Sequence, residues 1–208
     1  VSLPREFLPL WVMSKSLYRN QAKSFLHKRG ITDVDIKKYK IGFCDSGLYE
    51  GRIIIPSYDH MGLLNYFVGR SFVGEKMKYK NPNVSRDIVP FDWYVAWTKP
   101  IVLCEGVFDA MSIRSNAIPM LSKKPSRSLL QKIFEKNVKT IYIALDDDAK
   151  KDAYNMSEFF RDFGIDCKVV KLPTDKDPND LGWEKITSLI HTTESASFSD
   201  SIQARLYG

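Results

Sequence analysis

Residues 101–110 read IVLCEGVFDA, a short apolar run that passes directly into an acid, a glycine and the start of a helix. Residues 140–150 read TIYIALDDDAK and repeat the pattern, with an apolar run of strand length followed by acids. Working outward, we predict strands at 101–104, 118–121, 140–145 and 167–172. Between them we predict helices at 108–115, 127–136 and 150–163, with Ser126 as an N-cap and Gly164 as a stop. Strands that alternate with helices favour an α/β fold, with a parallel sheet covered on both faces.

Acids follow three of these strands at the point where each strand ends. Glu105 follows the first, with Asp109 four residues later, Asp146 and Asp148 follow the third, and Asp177 follows the fourth after a short loop. Open parallel sheets bind their ligands at this edge. Clustered carboxylates repel one another unless cations or protons neutralise them, and oxygen ligands suit Mg²⁺ or Mn²⁺. The set therefore predicts a divalent-metal site, although Asp109 or Asp148 alone fits a helix-capping acid equally well.

The charge is divided between the two halves of the chain. Residues 1–99 hold 16 Lys and Arg against 9 Asp and Glu, a net charge of +7. Residues 100–208 hold 15 against 16, a net charge of −1, and the two sums give the overall +6. A basic half is typical of a surface that binds a polyanion, and a solvated basic surface is the alternative. Lys123, Lys124 and Arg127 form a basic run that is either solvated or placed to meet a triphosphate.

The first half predicts a small mixed α+β module. A helix is expected from Ser14, as its cap, to Arg29, and a second one at 33–39. Strands are expected at 52–57 and 63–68, joined by a turn at 59–62, with a further strand at 76–80. A Ser/Thr-rich stretch from Thr192 to Ser201 follows a last short helix beyond Trp183 and has the composition of a disordered tail.

Composition excludes several classes of protein. The 208 residues contain no apolar run near the ~20 residues of a membrane span, and no secretory signal opens them. The three cysteines form no C-x-x-C pair, so no zinc ribbon is expected within these residues. We expect a cytoplasmic protein with no membrane partner.

The acidic motifs resemble those of the TOPRIM domain, which primases, topoisomerases and some nucleases share. The residues that carry this resemblance are Glu105-Gly106-x-x-Asp109, Asp146-x-Asp148 and Asp177-Pro178-Asn179-Asp180. The first half resembles the basic subdomain of bacterial DnaG-type primases. It does so at Phe25-Leu26-x-x-Arg29-Gly30-Ile31, Ile41-Gly42-Phe43, Gly51-Arg52-Ile53-Ile54-x-Pro56, Gly69-Arg70 and Lys78-Tyr79-x-Asn81-Pro82.

The resemblance implies a division into a basic subdomain at 1–99, a TOPRIM domain at 100–182, and a short helix and tail at 183–208. It implies synthesis of RNA primers from ribonucleoside triphosphates on single-stranded DNA, with two or more Mg²⁺ or Mn²⁺ ions. The implied catalytic acids are Glu105, Asp109, Asp146, Asp148 and Asp177, all but Asp109 being metal ligands. The implied nucleic-acid or nucleotide contacts are Arg29, Arg52, Arg70, Lys78 and Asn81.

The chain departs from the family pattern in the acidic motifs and elsewhere: the family's lysine between the Lys78-Tyr79-x-Asn81 and Glu105-Gly106 motifs has no clear match, and the stretch between Phe43 and Arg52 is shorter than usual. Asp147 stands where the family has glycine, Lys150 follows Ala149 where glycine is usual, and Asn179 stands where a second acid is usual. The resemblance implies a replicative helicase and/or a zinc-ribbon protein in trans as partners, and the compact organisation indicates a bacteriophage or mobile-element relative. The alternatives are another TOPRIM enzyme, such as a nuclease, and a non-catalytic nucleic-acid-binding accessory protein of replication.

Overall fold

The computed structural model describes residues 1–193, which form two compact units that meet in the sequence between Trp93 and Tyr94. The first unit contains four strands and two helices. The helices are α1 (Tyr18–Lys28) and α2 (Asp33–Lys38). The strands are β1 (Phe7–Pro9), β2 (Gly42–Cys44), β3 (Arg52–Tyr58) and β4 (Leu64–Ser71).

The four strands of the first unit form one antiparallel sheet in the order β1-β2-β3-β4. Its centre is apolar, with Phe43, Ile53 and Ile55 fully buried. The predicted hairpin between β3 and β4 is confirmed. The Asp59 carboxylate accepts hydrogen bonds from the backbone of Met61 and Leu63, and the turn closes through Gly62 at a φ of 80°.

Two predictions for the first unit are wrong. The first helix begins at Tyr18 instead of after a Ser14 cap, and Ser16 Oγ accepts the Tyr18 N–H. The segment 76–80 is not a strand, because it pairs with β4 only through a bridge between Arg70 and Tyr79 and two flanking backbone hydrogen bonds.

The second unit is the predicted parallel α/β layer. Its strands are β5 (Ile101–Cys104), β6 (Ala117–Pro119), β7 (Thr140–Ala144) and β8 (Asp166–Val169), all parallel in the order β6-β5-β7-β8. Its helices are α3 (Val107–Ile113), α4 (Arg127–Glu135), α5 (Lys150–Asp162) and α6 (Pro178–Thr192). Right-handed crossovers place α3 on one face of the sheet and α4 with α5 on the other. In agreement, α6 packs against α3, and Phe134 of α4 contacts Phe159 of α5.

The helix boundaries follow local chemistry. Ser126 Oγ caps α4 by accepting the Leu129 N–H at 3.0 Å, as predicted, and Gly164 ends α5 at a φ of 77°. The helix predicted beyond Trp183 is present as the second part of α6, which a non-helical Gly182 at a φ of 73° separates from a first turn that begins at Pro178. Asp177 caps that first turn, and proline fits it. The expected Ser/Thr-rich tail lies largely outside the described residues, which end at 193.

Two further findings concern membrane-spanning helices and the three cysteines. No helix within residues 1–193 is long and apolar enough to cross a membrane. The thiols of Cys44, Cys104 and Cys167 are all free and buried.

Candidate active site

Two neighbouring parallel strands bring the central acids to one edge. Cys104 of β5 lies opposite Ala144 of β7, so Glu105 and Asp146 follow paired positions at the carboxyl ends of adjacent strands. This is the arrangement expected from the sequence.

Asp109 is the most buried acid of the group. It lies in the first turn of α3, and its Oδ2 accepts the backbone N–H of Gly106 at 2.9 Å, which closes the turn that begins the helix. Burial, joined by the negative charges of Asp177 and Asp146, raises the pKa of Asp109 to about 7. Backbone N–H groups of Gly106 and Asn179 act in the opposite direction, because they stabilise the carboxylate.

Asp146 is half-buried at the centre of the acidic edge. Burial, and then the charges of Asp177 and Glu105, raise its pKa to about 6. Its Oδ1 atom is buried and has no hydrogen-bond partner within residues 1–193. A buried carboxylate oxygen without a donor is unfavourable unless a proton or a cation reaches it.

Glu105 is influenced by charges of both signs. Burial raises the pKa of Glu105, the charge of Lys123 lowers it, and Asp148 and Asp152 raise it again. Lys123 reaches this edge directly, since its Nζ lies 2.7 Å from Asp148 Oδ2.

The loop before α6 brings the remaining acid to the group. Asp177 Oδ1 accepts the backbone N–H of Asp180 at 2.6 Å and so caps α6. In the first turn of α6, Asn179 Nδ2 donates to Ser112 Oγ of α3 at 2.7 Å. The negative charge of Asp177 acts on both Asp109 and Asp146, so the three carboxylates share one electrostatic neighbourhood.

The acids fit a divalent cation by chemistry, although their side chains do not surround one point. Within residues 1–193, no group of three or more His, Cys, Asp or Glu side chains has the geometry to hold a metal ion. The chain's own donors explain this, because Asp109 and Asp177 accept backbone N–H groups and Asp148 pairs with Lys123. The partnerless Asp146 oxygen and the all-carboxylate donor set nevertheless match the hard cations that prefer oxygen ligands.

One member of this edge was missed by the sequence analysis. Asp152 lies in the first turn of α5, its charge acts on Glu105, and Lys124 Nζ lies 3.9 Å from its Oδ1. The available signal was its position, since the first turn of the helix after β7 starts at the same edge as Asp146.

The predicted basic contacts separate into two groups within the first unit. Arg29 and Arg70 both lie over the ring of Phe25, at 5.1 and 5.9 Å from its centroid, and Arg70 also lies 4.7 Å from the ring centroid of Tyr79. Arg70 Nε is buried without a hydrogen-bond partner in the described part of the chain. We call Phe25, Arg29, Arg70 and Tyr79 the arginine–aromatic cluster.

Arg52, Lys78 and Asn81 lie around the β3–β4 hairpin. Arg52 is buried, and its guanidinium donates to the carbonyl of Met77 at 3.0 Å and pairs with Glu75. Asn81 Oδ1 accepts the Gly69 N–H at 3.2 Å, while Lys78 is exposed. Arg52 and Asn81 thus hold the segment after β4 in place.

Comparisons with known proteins agree with this architecture. The Toprim-like family model matches residues 102–182. An uncharacterized protein of Mycoplasma genitalium is 30% identical over 183 residues, which cover 81% of this chain and 82% of that protein. The DNA primase of Clostridium acetobutylicum is 24% identical over 77% of this chain, and that of Campylobacter jejuni is 25% identical over 84%. The chain spans 30% and 37% of these two primases.

Solved structures show the same fold. The RNA polymerase domain of the Mycobacterium tuberculosis primase DnaG superimposes with a TM-score of 0.75 at 16% identity, over 93% of this chain and 82% of that one. A DnaG primase catalytic domain bound to single-stranded DNA superimposes with a TM-score of 0.70 at 18% identity, over 87% and 76%. The similarity extends across both units of the described chain.

Proposed function

This chain belongs to the family of DnaG-type primase catalytic cores, and on that premise we propose that it synthesises short RNA primers on single-stranded DNA. The observation that carries the proposal is the placement of Glu105 and Asp146 at the paired carboxyl ends of β5 and β7, with one Asp146 oxygen left without a donor in the described part of the chain. The chemistry would be metal-dependent nucleotidyl transfer.

The proposed reaction forms one P–O bond and breaks another. The 3′-hydroxyl of the primer attacks the α-phosphorus of the incoming ribonucleoside triphosphate. The bond from that phosphorus to its bridging oxygen breaks, and pyrophosphate leaves with the electron pair. The hydroxyl proton passes to Glu105, whose pKa is raised by burial and so suits a proton acceptor better than an exposed glutamate.

Divalent cations supply charge neutralisation of the triphosphate and alignment of attacker and leaving group. Asp146, Asp148 and Asp177 would hold them. Asp109 would position the others, because it is buried and already binds the backbone at the start of α3. Oxygen ligands favour Mg²⁺ or Mn²⁺.

The template strand would bind the basic first unit. In the arginine–aromatic cluster, guanidinium groups can meet phosphates while rings offer faces for bases. A structural neighbour bound to single-stranded DNA supports this assignment. Lys78 is exposed and is assigned to the same strand, whereas Arg52 and Asn81 would act by holding the segment after β4. A replicative helicase or a zinc-ribbon protein in trans remains a prediction from the family resemblance.

Ribonucleotide incorporation on a defined single-stranded DNA template tests the proposal. The purified chain is incubated with labelled ribonucleotides and Mg²⁺, with and without EDTA. Wild-type protein should form metal-dependent RNA products, and Asp146→Asn should not. Asp162→Asn is the matched control, because Asp162 is exposed at the far end of α5.

The same assay separates the two alternatives. Cleavage of the labelled template without new RNA would indicate a TOPRIM nuclease. Strand binding without either reaction would indicate a non-catalytic accessory protein. Either outcome would overturn the primase assignment.

A further inference from the structure

Lys123 crosses the acidic edge from one strand end to another. It lies in the loop after β6, yet its ammonium contacts Asp148, which follows β7, at 2.7 Å. In the sheet, β5 lies between β6 and β7. The side chain therefore passes the end of β5, where Glu105 stands, and its charge lowers the pKa of Glu105 and of Asp146.

The loop that carries Lys123 is fixed at its base. Met120 and Leu121 donate backbone hydrogen bonds to the carbonyls of Cys104 and Glu105, at 2.8 and 2.9 Å. Leu121 also takes a left-handed φ of 60°, which costs a non-glycine residue free energy and points to a loop shape held by its surroundings. The backbone at the base of this loop is thus held in place, and the Lys123 side chain extends from the loop to the acidic edge.

The contact itself is exchangeable. The side chains of Lys123 and Asp148 are 41% and 71% exposed, so solvent screens this ion pair and the pair stabilises the protein only weakly. A divalent cation on Asp148 would compete directly with the ammonium, because two cations repel each other at one carboxylate. The released ammonium would remain beside the metal-bound phosphates of a nucleotide.

We propose that Lys123 is the polyphosphate-binding residue of this edge. It holds Asp148 in the metal-free protein and binds the β- and γ-phosphates of the nucleotide when Asp148 binds a divalent cation. The proposal rests on the proposed function, and it adds a residue outside the acidic motifs to the site. Its ligand is the triphosphate chain or the pyrophosphate that leaves.

The test uses Lys123→Gln and two measurements that need no primer synthesis. Mn²⁺ affinity, followed by electron paramagnetic resonance, should rise about two- to fivefold in the variant, because a competing cation is gone. Binding of inorganic tripolyphosphate in the presence of Mg²⁺, followed by calorimetry, should weaken roughly tenfold, since a charge-assisted hydrogen bond is removed. Lys123→Arg keeps the charge and should keep both values near those of the wild type.

Lys136→Gln is the matched control, since Lys136 is exposed at the opposite end of α4. Unchanged Mn²⁺ affinity, unchanged tripolyphosphate binding, or equal effects from the Lys136 variant would each overturn the proposal. Because neither measurement depends on RNA synthesis, a chain that fails to make primers but shows both shifts would refute the primase assignment and leave the Lys123 site standing.

Discussion

Asn179 donates its side-chain N–H to Ser112 across 2.7 Å, and this hydrogen bond joins the start of α6, which Asp177 caps, to the helix of Asp109. The two helices are far apart in sequence, and the start of each supplies an acid to the candidate site. Ser112 is buried, so losing either partner would leave the other with an unsatisfied hydrogen-bonding group, which lowers the stability of the fold.

Removing this hydrogen bond should lower both stability and metal affinity. Ser112→Ala takes away the hydroxyl that accepts the Asn179 side-chain N–H, and we expect a decrease of about 1 to 3 kcal/mol in the free energy of unfolding, measured with urea. Ser188→Ala, at an exposed position of α6, is the control and should change little. A double-mutant cycle with Asn179→Ala should show coupling, and strictly additive decreases would contradict a direct interaction.

The stability of the metal-free protein should fall as the pH rises from about 4 to about 7. The pKa of Asp109 is about 7 in the folded state, against an ordinary aspartate pKa of 3.8. Between these values the folded chain binds the proton more tightly than the unfolded chain, so deprotonation favours unfolding. The decline attributable to Asp109 is at most about 4 kcal/mol, at about 1.4 kcal/mol per pKa unit.

Asp109→Asn should flatten this decline, because an amide cannot ionise and can still accept the Gly106 N–H. Urea unfolding at several pH values in EDTA measures the slope. Asp162→Asn, in the exposed last turn of α5, is the control. An equal slope in wild type and Asp109→Asn would contradict the raised pKa.

Mg²⁺ should raise the melting temperature of the wild-type protein and not that of Asp146→Asn. Ligands that bind only the folded state stabilise it in proportion to the logarithm of their concentration. The same variant should melt at a higher temperature than wild type in EDTA, because one of several repelling carboxylates is gone. Differential scanning fluorimetry over a series of Mg²⁺ concentrations gives both results, and identical Mg²⁺ responses would remove Asp146 from the site.

Charge reversal in the arginine–aromatic cluster should weaken strand binding. Arg70→Glu should lower affinity for single-stranded DNA and reduce the slope of log affinity against log salt by roughly 0.7 for each phosphate that the protein no longer neutralises. Fluorescence anisotropy at several salt concentrations measures both. Lys185→Glu, at an exposed position of α6, is the control, and an equal decrease there would indicate a diffuse field without a defined binding site.

Arg52 should behave differently from Arg70. Its side chain is 4% exposed and holds the segment after β4 through Met77 and Glu75. Arg52→Ala should therefore unfold at lower urea concentration, with a free energy of unfolding reduced by about 2 kcal/mol, since buried polar partners would be deprived of their donor. Wild-type stability with weakened DNA binding would instead show that Arg52 contacts the strand.

The sequence predicted the second unit better than the first for a physical reason. The strands at 101–104 and 140–144 are short, apolar and flanked by helices, so local pattern alone places Glu105 and Asp146 at one edge. The burial of Arg52 depends on carbonyl and carboxylate groups about 25 residues later in an irregular segment, and no local pattern reveals that contact. The first turn of α6 was not predicted, although an aspartate followed by proline is a strong helix-initiation signal.

The contact between Lys123 and Asp148 could not be predicted from local sequence either. In the sequence, Lys123 belongs to a basic run that fits either a solvated surface or a contact with a triphosphate. Only the strand order β6-β5-β7 places its loop across Glu105 from Asp148. Strand order arises from the whole sheet, and neighbouring residues do not encode it.

The contact between Gly106 and Asp109 also constrains how this chain can evolve. A Cβ atom at position 106 would lie 3.0 Å from Asp109 Oδ2, so a larger residue there would push against the carboxylate that its own backbone N–H binds. The two positions are therefore coupled, because the residue that fits at position 106 depends on the side chain at position 109. In a saturation library selected for activity, position 106 should therefore tolerate few substitutions while Asp109 is retained.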